Sequence, residues 1–130
     1  MNPPSPLTAS LYVAAGGAAG SWLRYLVARA LPPAASGFPW GTLTVNVVGS
    51  FAMGLLAGWL ARLGAQAEGW RLLLGVGLLG GFTTFSAFSL ETVSLIERGA
   101  VGTAMAYVAL SLIAGFGGLF AGLQLIRTCA

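Results

Sequence analysis

Gly80-Gly81-Phe82-Thr83-Thr84-Phe85-Ser86-Ala87-Phe88-Ser89 lies in the middle of an apolar stretch running from about Trp70 to Ile96. Paired glycines followed by bulky and β-branched residues predict a break in a helix. The stretch is longer than the ~20 residues that cross hydrocarbon at ~1.5 Å per residue, so it has room for one. Lipid offers no partner to a freed N–H or C=O, so a break in a membrane must lie inside protein or against a cavity. Freed carbonyls at half-helix ends are ready ligands for a cation such as Na⁺. Beyond the break, Phe85 and Phe88 are three apart and share a helical face. Their positive ring edges can face an anion, or the pair can pack against lipid or core.

The rest of the chain places this stretch in a membrane. Among 130 residues there are nine charges, six Arg and three Glu, and no Lys, Asp or His. The charged fraction is 7% and the mean hydropathy +0.87, whereas a soluble domain carries about 25% charged residues. That excludes a soluble globular domain and a disordered chain. Acid–base catalysis has no His or Asp to use, so no enzymatic activity is expected. Six scattered Arg do not make a nucleic-acid footprint. The single Cys, Cys129, sits next to the C-terminus and reads as an incidental thiol. Met1 to Leu7 is Pro-rich and uncharged, unlike a cleavable signal, which begins with positive charge.

Residues 1–130 read as one domain of four hydrophobic spans, at about 8–31, 40–63, 70–96 and 100–126. Pro32 and Pro33 close the first. Trp40, Trp59 and Trp70 fall near span ends, where indole favours the interface. With four spans, both termini and the second loop share one side, which holds Arg62, Arg71 and Arg127. The other side holds Arg24, Arg29 and Arg98. The Lys/Arg bias that sets orientation is therefore zero. Zero bias permits insertion in both directions, and opposed copies can pair antiparallel. Four spans enclose little interior, so a transport path calls for a second copy. Gly54 and Gly58, Gly77 and Gly81, and Gly118 and Gly122 are spaced for close helix contact, between copies or within one.

Polar groups inside the spans fall into stripes. Thr42, Asn46 and Ser50 share one face of the second span, and Thr103, Tyr107 and Ser111 one face of the fourth. In the first, Gly17, Gly20, Ser21 and Arg24 do the same. These are neutral hydrogen-bonding groups, suited either to a wetted track for a small ion or to helix–helix and i−4 hydrogen bonds. Asn46 is the costliest of them to bury unpartnered. Arg24 can snorkel to water or present a fixed positive charge in a vestibule. Glu91 can cap, pair with an Arg or face an aqueous vestibule.

Three ordered motifs carry a resemblance: Gly16-Gly17-Ala18-Ala19-Gly20-Ser21-Trp22-Leu23-Arg24-Tyr25, Gly41-Thr42-Leu43-Thr44-Val45-Asn46-Val47-Val48-Gly49-Ser50-Phe51, and Gly80-Gly81-Phe82-Thr83-Thr84-Phe85-Ser86. Together they resemble the small bacterial fluoride channels, the Fluc or CrcB family, over essentially the whole chain. The fourth span matches loosely. The resemblance implies an all-α membrane protein of four transmembrane helices, the third broken mid-membrane, acting as an antiparallel dual-topology homodimer in the bacterial inner membrane. It implies two fluoride pores and passive fluoride export that lowers toxicity. It implies a structural Na⁺ at the dimer centre, held by the backbone carbonyls of Gly80 and Thr83. The pore phenylalanines map to Phe85 and Phe88, and the pore asparagine to Asn46. The hydroxyl track maps to Thr84, Ser86, Tyr107 and Ser111, and Arg24 to the first-helix arginine. Ala87 stands where many relatives carry Thr.

Asn amide and hydroxyl donors suit such a pore, because fluoride surrenders its water only to many replacement hydrogen bonds. The competing expectation is a small dual-topology, proton-coupled multidrug antiporter. That mechanism needs a carboxylate in the first helix, and this chain has none before Glu68.

Overall fold

Residues 4–129 are described by a computed structural model, in which every regular element is helical. Helix α1 spans Pro6–Ala30. Ser5 caps it, its hydroxyl accepting from the Thr8 N–H at 3.2 Å, and Pro6 occupies the first turn, where a missing N–H costs nothing. Met1, Asn2 and Pro3, part of the Pro-rich start, lie outside the described residues. Helix α2 spans Trp40–Leu63 and α6 spans Val101–Thr128.

The third stretch is composite. It comprises α3 (Ala67–Trp70), a π-helical run over Arg71–Leu79, α4 (Gly80–Phe82) and α5 (Phe85–Glu97). Trp40–Leu63, Ala67–Glu97 and Val101–Thr128 are each long and apolar enough to cross a membrane. Helix α1 has the length, 25 residues, but its glycines, serines, Arg24 and Arg29 make it the most polar of the long helices.

The expected break is present before Phe85, just past the paired glycines. Gly80 and Gly81 stay helical, and the chain becomes extended at Thr83 (ψ 158°) and Thr84 (φ −152°, ψ 121°) before α5 begins. The Thr84 side chain then caps α5, accepting from the Ala87 N–H at 3.2 Å. The glycines serve another purpose. A Cβ on Gly81 would come within 2.6 Å of the Gly17 carbonyl oxygen, and one on Gly77 within 2.9 Å of the Gly16 Cα. Across the same seam, Gly16 and Gly20 face the Leu73 and Leu78 carbonyls so closely that a methyl group has no room.

Helix α1 therefore lies directly on the backbone of the π-helical run and α4. The pairing of α2 with α6 follows the same rule. Gly54 sits against the Leu119 carbonyl, Gly122 against that of Phe51, and Gly58 against Ile126. Thus Gly54, Gly58, Gly77, Gly81 and Gly122 all serve packing within one copy.

The small apolar core gathers at the end of the bundle nearest the α1–α2 loop. Phe38, Leu43, Leu95, Ala104 and Tyr107 are buried together there, with Phe88 and Val47 packed against them. Most other large apolar side chains face outward, among them Trp22, Val48, Ile113, Phe116 and Phe120. For a chain solvated by lipid this inversion costs nothing, whereas in water such patches would drive association.

Candidate functional site

Asn46 is the centre of the site. Its Nδ2 donates to the Thr84 carbonyl at 3.0 Å, and its Oδ1 accepts from the Thr84 N–H at 2.8 Å. One side chain thus satisfies both backbone groups of a residue that has left the helix. In an unbroken helix the Thr84 N–H would donate to the Gly80 carbonyl. Here it turns to Asn46, so the Gly80 carbonyl loses that partner. The stripe position of Asn46 put it on the α2 face that meets the break.

Around this junction lies a cavity of about 300 Å³, lined by Asn46, Ser50, Thr83, Thr84, Phe85, Phe88, Ser111 and four apolar neighbours. Seven of the residues singled out in the sequence therefore meet around one cavity. Thr84 is buried, and its hydroxyl lies 3.3 Å from that of Ser86. The Ser111 hydroxyl is buried with no hydrogen-bond partner. Phe85 is 80% exposed. Its ring centroid is 5.8 Å from that of Phe88, which in turn lies 5.1 Å from that of Tyr107.

Tyr107 and Arg24 sit elsewhere. A second cavity, of about 270 Å³, opens on the other side of Thr84 and is lined by Arg24, Tyr25, Thr42, Ala87, Glu91 and others. Glu91 has found partners that its sequence position did not reveal. Its Oε1 accepts from the Thr42 hydroxyl at 2.7 Å, and its Oε2 from the fully buried Tyr107 hydroxyl, also at 2.7 Å. Three elements, α2, α5 and α6, are tied together at that carboxylate. An ionisable residue inside an apolar stretch was the available signal. Its partners lie on separate helices, and no spacing along the chain connects them.

The other hydroxyls divide cleanly. Those of Thr83, Ser89 and Thr92 bond the carbonyl four residues back, to Leu79, Phe85 and Phe88. Such groups are already satisfied within their own helix. Thr84, Ser86 and Ser111 make no such bond; they are three of the four mapped to the hydroxyl track, and the fourth, Tyr107, donates to Glu91.

Residues 11–123 match the family described as CrcB-like protein, Camphor Resistance (CrcB). The chain belongs to the CrcB-like family. Its relatives include three proteins each named Fluoride-specific ion channel FluC. That of Novosphingobium aromaticivorans is 56% identical over 128 residues, covering 95% of this chain and 100% of the other. That of Caulobacter vibrioides is 56% identical over 119 residues, covering 90% and 94%. That of Agrobacterium fabrum is 55% identical over 117 residues, covering 88% and 93%. The matched CrcB-like region contains both cavities, the break and the Glu91 cluster. It leaves out residues 1–10 and 124–130.

Proposed function

We propose that this chain is a fluoride-selective channel, mediating passive export of fluoride across the bacterial inner membrane. The observation that carries the reading is the Asn46–Thr84 junction. A helix interrupted inside an apolar span, held open by a half-buried amide and facing a cavity with several polar groups in its wall, is costly unless the cavity is used. The relatives' names supply the ion. Fluoride binds water tightly, so its path must offer replacement donors at close spacing. Asn46, Thr84, Ser86 and Ser111 supply them, and the unpartnered Ser111 hydroxyl is the group most ready to donate. Phe85 and Phe88 would present ring edges to the anion as it passes. Tyr107 flanks Phe88 and completes the track through its ring, its hydroxyl being engaged by Glu91. Arg24, on the wall of the second cavity, would raise the local anion concentration at the mouth.

The working unit in this reading is an antiparallel homodimer of four-span subunits, with α1 as the first span and the dimer surrounded by lipid. The nearly free ring of Phe85 and the balanced arginines both suit a second copy inserted in the opposite direction. A structural Na⁺ fits the same arrangement. The residues pass a simple test: the Gly80 carbonyl lost its helical donor to Asn46, and extended Thr83 turns its carbonyl out of the helical ladder. Gly80 and Thr83 of the two copies would hold the cation, which would fix the two breaks against each other.

The experiment is fluoride release from proteoliposomes, comparing the wild type with Phe85→Ile/Phe88→Ile. Fast release by the wild type, abolished in the double variant while the dimer persists, is the expected result. Equal release by both would overturn the assigned path.

A further inference from the structure

We propose that Phe38, in the loop between α1 and α2, is a positioning residue for conduction, acting through Tyr107. The inference rests on the channel reading above. The loop from Pro32 to Pro39 is exposed at Pro32, Pro33, Ala35 and Ser36, yet Phe38 is only 8% exposed.

Its backbone is pinned from both sides. The Phe38 carbonyl accepts from the Ala34 N–H at 3.1 Å and from the Trp40 N–H at 3.1 Å, and the Gly37 N–H donates to the Ala34 carbonyl at 2.7 Å. Gly37 has φ +81°, a conformation that other residues rarely adopt, and it lies against Arg98 and Leu95 of the α5 end. A loop whose only task was to join two helices would need none of this.

What the loop delivers is a ring. Phe38 meets Tyr107 edge to face, with centroids 5.6 Å apart and planes at 77°, and Trp40 supports it from behind at 4.6 Å. Tyr107 is thus held between Phe38 on one side and Phe88 on the other, with no exposed surface. Its hydroxyl can reach Glu91 only while the ring keeps that orientation. Glu91 also accepts from Thr42, and Phe88 lies on the cavity wall beside Asn46 and Thr84. Phe38 is not in the lining of either cavity, but it packs on Tyr107, and so it governs the side chain that orders Phe88 on the first cavity and Glu91 on the second. Removing its ring leaves space into which Tyr107 can tilt, which weakens the phenol–carboxylate hydrogen bond and loosens Phe88.

The test uses Phe38→Leu, which keeps much of the volume but lacks the ring edge, in a Tyr12→Phe/Tyr25→Phe background where Tyr107 is the sole tyrosine. Phe38→Met serves if the first variant does not fold. Two quantities are read on the full-length protein: the tyrosine Fermi doublet in ultraviolet resonance Raman spectra, and fluoride release from proteoliposomes. The expected result is a doublet shifted away from a strong phenol donor, together with release slowed about tenfold, the effect of one ordinary hydrogen bond. A melting temperature and dimer yield close to those of the background protein accompany it. An unchanged doublet would overturn the proposal, and so would a shifted doublet with unchanged release. A wild-type protein that released no fluoride would refute the channel reading instead. The doublet would still decide whether Phe38 orients Tyr107.

Discussion

Replacing Asn46 separates what holds the helix break from what the break is for. In Asn46→Leu the Thr84 N–H and carbonyl both lose their partner. Each orphaned buried group costs about 1–3 kcal/mol, so the loss is about 2–6 kcal/mol. Asn46→Asp is a finer probe. The aspartate still accepts from the Thr84 N–H but cannot donate to the Thr84 carbonyl. It orphans that one group and adds a negative charge inside the span, which costs about 2.5–3.5 kcal/mol near a helix centre. Both variants should unfold at lower detergent-denaturant concentration, followed by tryptophan fluorescence, since Trp59 and Trp70 pack against each other. Both should release fluoride far more slowly than the wild type. The leucine variant loses the ordered wall, whereas the aspartate variant keeps part of it and repels the anion. If Asn46→Leu lost less than about 1 kcal/mol and released fluoride at the wild-type rate, the bridge would not be what holds the break.

Glu91→Gln keeps the shape of the side chain but leaves one carboxylate acceptor replaced by an amide donor. Either Thr42 or Tyr107 then lacks its acceptor, and a loss of about 1–3 kcal/mol in the same unfolding titration is expected. Gly54→Ala forces α2 away from the Leu119 carbonyl, so it should cost about 1–3 kcal/mol by overpacking. Gly117→Ala, where an added Cβ meets nothing within 4 Å, should be neutral or slightly stabilising. Two melting curves check this contrast. Oxidation of Cys129, an exposed thiol and the only cysteine, tests the orientation of the copies. In an antiparallel pair the two thiols lie on opposite sides of the membrane, about 42 Å apart by the 28-residue length of α6 at ~1.5 Å per residue. No disulfide-linked dimer should appear on a non-reducing gel, and efficient linkage would show parallel neighbours.

How much of this was legible in the sequence depended on the range of the interaction. The apolar stretches and the proline and glycine boundaries are local signals, and the helices follow them to within a few residues. The Thr42-Asn46-Ser50 stripe lies on the α2 face turned to the third stretch, where Asn46 bonds Thr84 and Thr42 bonds Glu91. The break falls at Thr83–Thr84, inside the expected stretch and before Phe85, just past the paired glycines. Paired glycines permit a helix to bend, but here close contact with α1 keeps them helical, and the Asn46 amide chooses which residue leaves the ladder. The π-helical run had no sequence signal that we can name. The partners of Glu91 were hidden because they come from two other helices, α2 and α6, and the role of Phe38 because aromatic contacts form across loops rather than along a period. Of the seven residues around the cavity, Asn46, Ser50, Thr83, Thr84 and Phe85 were readable because they sat in short ordered motifs, whereas Phe88 and Ser111 were read from helical spacing and a looser match.

The most direct test of a passive fluoride pathway is release from fluoride-loaded proteoliposomes, with and without a potassium ionophore to carry compensating charge. The account predicts fast fluoride efflux only when the ionophore is present, with no accompanying proton movement. Vesicles that retain fluoride under both conditions, or that release it only in exchange for protons, would contradict it.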